Sequence, residues 1–147
     1  HWKQDEDDSS ETRGYFVEDD GGFQKPMDYW IGAMTFTPDA KLLITGSRDK
    51  TIKLFDMPNM TEQRTLKGHT AWVRTLAVTP DNKVLLSAGD DETIRFWDLS
   101  NGQCFRTLKA HTGGIRSITL SPDGMTLASA SWDRTVKLWV GGAEPAE

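Results

Sequence analysis

Apolar and β-branched runs of four to seven residues alternate with clusters of turn residues, and nowhere do apolar positions recur at the spacing of a helical face. In the middle of the chain the pattern predicts a strand over Val73 to Val78. A tight turn at Pro80-Asp81-Asn82 follows, because Pro presets φ while Asp and Asn tolerate turn geometry. Val84 to Ala88 reads as the next strand, Asp90-Asp91-Glu92 as a turn, and Thr93 to Asp98 as a third strand. Asn101-Gly102 is a hairpin signal before a fourth strand over Gln103 to Lys109. The expected fold is all-β, in four-stranded antiparallel units. Val73, Leu76, Val78, Leu85, Leu86, Ile94, Phe96 and Trp97 place apolar groups on both faces of such a sheet, so both faces need a cover.

The same pattern is written three times. Thr45 to Asp56, Ser87 to Asp98 and Ser129 to Val140 follow one another at one constant interval, and Pro38, Pro80 and Pro122 keep that register, as do Asp49, Asp91 and Asp133. A repeat of this length is one supersecondary unit that buries its apolar faces against neighbouring copies. Stacking small twisted sheets around an axis covers both faces of each, which is the logic of a β-propeller. A two-layer sandwich would not require near-identical units at fixed spacing.

Gly68-His69, Ser87, Asp91 and Trp97-Asp98 resemble a WD repeat, and Ala110-His111, Ser129, Asp133 and Trp139 resemble a second. The first copy departs, with Met27 at the His position and Phe55 at the Trp position. The third has Ala110 for Gly and Val140 for the final Asp. The resemblance implies a chain of hydrogen bonds from the Trp97 indole to Ser87, from Ser87 to His69 and from His69 to Asp91, with His111, Ser129, Asp133 and Trp139 as its counterpart. Thr45 and Asp49 lack the partners for it, which predicts a less rigid first blade. The resemblance also implies partner recognition on the rim made by the loop before the first strand and the turn between the second and third. Those positions are Asp28, Trp30 and Arg48, then Thr70, Trp72 and Asp90, then Thr112, Gly114 and Trp132. Trp and Arg among polar neighbours have the composition of an interface hot spot. Alternatively, Trp30 and Trp72 lid their own blades over Ile31 and Val73, and Arg48 pairs locally with Asp49 or Asp90. Trp132, inside a tight turn, is expected to be exposed.

Ser87, His69 and Asp91 are also the residue types of a hydrolase triad. A nucleophilic Ser must face a cleft, whereas the repeat sets this one in mid-strand beneath a Trp donor and duplicates the set one blade on. No catalytic residues are assigned, and no cofactor. The expected function is a protein-interaction scaffold, the alternative being an accessory domain of an enzyme whose catalytic part lies upstream.

Charge sharpens the division of the chain. Residues 1–28 carry nine acidic and three basic side chains, whereas the remainder is near neutral with 13 acidic and 14 basic. This body lacks the clustered Lys and Arg that phosphate backbones reward, so nucleic acid is not an expected ligand. Asp5 to Asp8 and Glu11 have the density of a solvated leader, and without a Gly-punctuated alternating loop they do not suggest a metal site. Residues 1–13 are therefore expected to be a disordered leader and 14–27 a hairpin, in which Phe23, one repeat interval before Thr65, occupies an outer-strand slot. The repeats span 28–67, 68–109 and 110–140, ahead of a flexible tail over 141–147. No apolar run approaches the roughly 20 residues that span a bilayer. The single Cys104 reads as a small core residue and mildly favours a reducing, cytoplasmic setting. The last blade lacks an outer strand, and three blades do not close a ring that needs roughly four to eight. The remaining blades are expected from a longer chain, since the sequence begins at His1 without Met, or else from a second copy joined head to tail.

Overall fold

The computed structural model describes residues 29–141. The expectations for the acidic leader, the 14–27 hairpin, Met27, Asp28 and the tail beyond Gly141 lie outside the described residues. Within them the chain forms eleven strands: β1 (Ile31–Phe36), β2 (Leu42–Ser47), β3 (Ile52–Asp56), β4 (Thr61–Leu66), β5 (Val73–Val78), β6 (Val84–Gly89), β7 (Thr93–Asp98), β8 (Gln103–Lys109), β9 (Ile115–Leu120), β10 (Thr126–Ser131) and β11 (Val136–Val140). They pair as three antiparallel meanders, β1-β2-β3-β4, β5-β6-β7-β8 and β9-β10-β11. The four strands expected for the middle copy appear at the expected places, β6 running one residue further, to Gly89.

The repeated turns carry repeated backbone geometry. Ala40, Asn82 and Gly124 take φ values of 60°, 65° and 74°, and Lys50, Glu92 and Arg134 take 78°, 71° and 72°. Left-handed backbone at a fixed position lets each strand reverse within a few residues, and only Gly adopts it without steric cost. The aspartates of the first turn family lock it in place. Asp39, Asp81 and Asp123 accept hydrogen bonds from the backbone N–H of Lys41, Lys83 and Met125 and from the hydroxyls of Thr37, Thr79 and Ser121.

Because side chains alternate along a strand, each sheet serves two cores. Leu85 and Trp97 face the first sheet, packing with Ile44, Ile52 and Leu54, while Leu86 and Ile94 face the third, packing with Ile115, Ile118 and Leu127. Fully burying each such aliphatic side chain contributes about 1.5–3 kcal/mol. The inner strands β1, β5 and β9 lie side by side. The sheets are therefore stacked blades. Cys104, half buried, packs against the first of these cores.

Among the described residues, both ends of the stack carry exposed apolar side chains. Met34 in β1 is 67% exposed, whereas its counterpart Ile118 in β9 is 6% exposed. Leu138 in β11 is likewise 69% exposed, against complete burial of its counterpart Leu54 in β3. Each end face is half of the interface that the internal blades complete.

Candidate partner-binding rim

Two strands separate the loop before each first strand from the turn between the second and third, and backbone hydrogen bonds zip that loop and turn together. Arg48 donates to the Trp30 carbonyl, Asp90 to that of Trp72 and Trp132 to that of Gly114, each at 2.9 Å. Side chains reinforce the joint. The Ser47 hydroxyl donates to the Trp30 carbonyl at 3.2 Å and the Ser131 hydroxyl to that of Gly113 at 3.0 Å. Sequence reasoning missed these two serines. The signal lies in their shared place in the repeat, where the middle copy has Gly89.

The rim residues of the three blades meet in one strip. Trp30 and Trp132 are 69% and 65% exposed, and Arg48, Thr70 and Thr112 are exposed with them. The Arg48 guanidinium carbon lies 5.3 Å from the Trp30 ring centroid and 5.6 Å from that of Trp72, the two rings being 6.3 Å apart. Arg74 covers the Trp72 ring at 3.7 Å and holds Asp90 through two hydrogen bonds of 3.0 and 3.1 Å. On the third blade Arg116 lies 4.7 Å from the centroid of Trp132. Arg74 and Arg116 escaped the sequence reading because they sit inside strands and reach the rim only by the outward turn of alternate side chains.

Two of the local alternatives are not what the structure holds. Arg48 pairs with neither Asp49 nor Asp90. Asp90 is occupied by Arg74, and Asp49 accepts from the Thr51 N–H and hydroxyl, which leaves the Trp faces as the site for the Arg48 cation. Trp30 is not a lid. Trp72 is half buried, but it leans on the neighbouring blade: a Cβ on Gly32 would stand 2.4 Å from its indole nitrogen, so the glycine makes room for the ring. That nitrogen has no hydrogen-bond partner among the described residues, leaving packing and the cation to hold the ring.

Beneath the rim lie the buried polar chains. In the second blade Trp97 Nε1 donates to Ser87 Oγ at 2.8 Å, Ser87 Oγ meets His69 Nε2 at 2.6 Å and His69 Nδ1 meets Asp91 Oδ2 at 2.8 Å. An ionised Asp91 can only accept, so a neutral His69 donates through Nδ1 and accepts the Ser87 hydroxyl hydrogen bond at Nε2, and every group is satisfied. Burial disfavours the Asp91 charge, but the His69 contact and the donors from Thr70 and Thr93 outweigh it and hold the carboxyl far below the usual range. In the third blade Trp139, Ser129, His111 and Asp133 repeat the chain with bonds of 3.1, 2.7 and 2.8 Å. The Thr135 hydroxyl leads the donors, His111 among them, that hold Asp133 equally low. Ser87 is completely buried, and the Trp97 N–H occupies the lone-pair side that a nucleophile must keep free. The first blade holds Thr45 and Phe55, both buried, where these serines and tryptophans stand.

A groove of about 750 Å³ lies apart from the rim between the second and third blades, where Phe96, Leu108 and Trp139 line it. Among the described residues no group of His, Cys, Asp and Glu side chains could hold a metal ion.

Stacked meander sheets with polar chains repeated at their core define a repeat protein of propeller blades. The sequence profile of the WD domain, G-beta repeat, matches residues 25–56, 60–98 and 102–140, and the chain belongs to this family. The second match runs from the outer strand of one blade through three strands of the next, so the sequence repeat straddles two blades and each ties its neighbour in place. Repeats of this family generally mediate protein–protein interaction, and such domains are typically non-catalytic scaffolds. No curated protein matches the chain.

Proposed function

We propose that the chain is a protein-interaction platform that receives partner proteins or peptides on the rim strip of Trp30, Arg48, Thr70, Trp72, Asp90, Thr112 and Trp132. One observation carries this reading: the Arg48 cation is held over two tryptophans on an exposed surface. Stacking fixes the rotamers of large side chains before a partner arrives, so less conformational entropy is lost on binding. The buried His, Ser, Asp and Trp chains support that surface by fastening the loop before the first strand to the strands below it. The end faces are where further blades would stack, from more repeats of one chain or from a second copy.

Affinity capture with the wild-type chain and with Trp30→Ala and Trp132→Ala tests the assignment. Both residues are exposed, so the circular dichroism spectrum should not change, and capture of partners should fall in each variant. Undiminished capture by both variants would move the binding surface to the opposite rim.

A further inference from the structure

Among the described rim residues three guanidinium groups, those of Arg48, Arg74 and Arg116, stand beside the tryptophans, and only that of Arg74 is paired with a carboxylate, Asp90. Asp90 is consumed by Arg74 in a two-bond pair, and Asp91 and Asp133 are turned inward onto His69 and His111. Among the described residues Arg48 and Arg116 form no ion pair. Both are exposed, and each rests against a tryptophan.

A stacked guanidinium keeps its N–H edge for ligands. Its five donors form a rigid fork that matches a carboxylate in two parallel bonds, and the ring beneath limits the rotamer entropy lost on engagement. Arg48 stands on the first blade and Arg116 on the third, with the Arg74–Asp90 pair between them. Two separated cations suit two singly charged groups on an extended chain better than one multiply charged group, which calls for several cations converging on a point. Gly114 lets the second and third blades approach closely here: a Cβ there would stand 3.1 Å from Asp90 Oδ1 and 3.4 Å from the Trp132 ring.

We infer that the partner segment is an acidic peptide, with one Asp or Glu carboxylate received by Arg48 and a second by Arg116, and apolar or aromatic groups between them against Trp30, Trp72 and Trp132. The inference rests on the rim as the binding surface and adds the chemistry of what binds there.

The test is selection of a phage-displayed random peptide library on the full chain, on Arg48→Gln/Arg116→Gln and on Trp30→Ala/Trp132→Ala. The wild-type chain should enrich peptides with paired acidic residues, and both double variants should lose them. By fluorescence anisotropy, replacing Glu by Gln and Asp by Asn in an enriched peptide should weaken binding on the order of tenfold or more, and added salt should weaken the acidic form. Peptides that need the tryptophans but carry no acidic excess, or that survive the Arg→Gln changes, would overturn the acidic assignment while leaving the rim as the platform. Peptides indifferent to both double variants would overturn both readings. A wild-type chain that enriches nothing over the blank support, or a phosphoserine peptide bound more tightly than its Glu form, would also overturn the inference.

Discussion

The backbone N–H of Ile118 in β9 donates to Thr75 Oγ1 in β5 at 3.0 Å, a buried hydrogen bond between blades. The first blade has Ala33 at the position of Thr75, so it offers no hydroxyl to the second. The bond therefore ties the second and third blades at a place where the first and second have no equivalent. Thr75→Val should cost about 1–3 kcal/mol, because the Ile118 N–H is left buried without an acceptor. Thr75→Ser should retain most of the stability. Urea denaturation of the two variants checks the assignment, and equal midpoints would show that the bond contributes nothing.

The buried chain in the second blade should behave as a unit. His69→Ala leaves the buried Ser87 hydroxyl without its acceptor and takes the imidazole donor from Asp91, and a loss of about 1–3 kcal/mol is expected. Combining it with Ser87→Ala should cost less than the sum of the single losses, since the two residues share one network. Additive losses in the double-mutant cycle would separate them.

Hydrogen exchange should rank the blades. The first has no His–Ser–Trp chain among the described residues and an exposed inner strand, so amides of β1 and β2 should exchange faster than those of β5 and β6. Equal protection would place the cooperative unit across both blades.

Acid should destabilise the protein. Asp39, Asp49, Asp81, Asp91, Asp98, Asp123 and Asp133 all titrate below the ordinary aspartate value of 3.8 in the folded chain. Below that value the unfolded chain binds more protons than the folded one, so stability is complete above it and falls as pH drops through the folded values. Asp91→Asn should flatten this dependence while lowering stability at neutral pH. Denaturant midpoints measured across the acid range provide the check, and an unchanged slope in Asp91→Asn would remove that carboxylate from the linkage.

Turn strain offers a gain. Ala40 is exposed and holds a φ of 60°, where its Cβ crowds the following carbonyl. Ala40→Gly should raise stability by up to about 1 kcal/mol, the relief of strain being partly offset by the extra freedom of glycine when unfolded. A lower thermal midpoint would contradict this.

Much of the architecture is legible without coordinates. The constant repeat interval sets the unit, strand grammar places β5 to β8, and the departures Phe55 and Thr45 identify the blade without a Ser–Trp pair. What escapes is contact between units. The repeat pattern offers Trp72 as a partner surface or a lid on its own blade, but the ring leans across onto Gly32. Arg48 has two carboxylates near it in the repeat and pairs with neither. Arg74 and Arg116 look like ordinary strand residues.

The sequence alone determined the sheets, because strand period, turn chemistry and repeat register are local and each copy reports the same answer. Only the tertiary structure decided the rim's chemistry. Which cation lies over which ring depends on how one blade sits against the next, and side chains from different blades, such as those of Trp30 and Trp72, meet there by packing that no local pattern encodes.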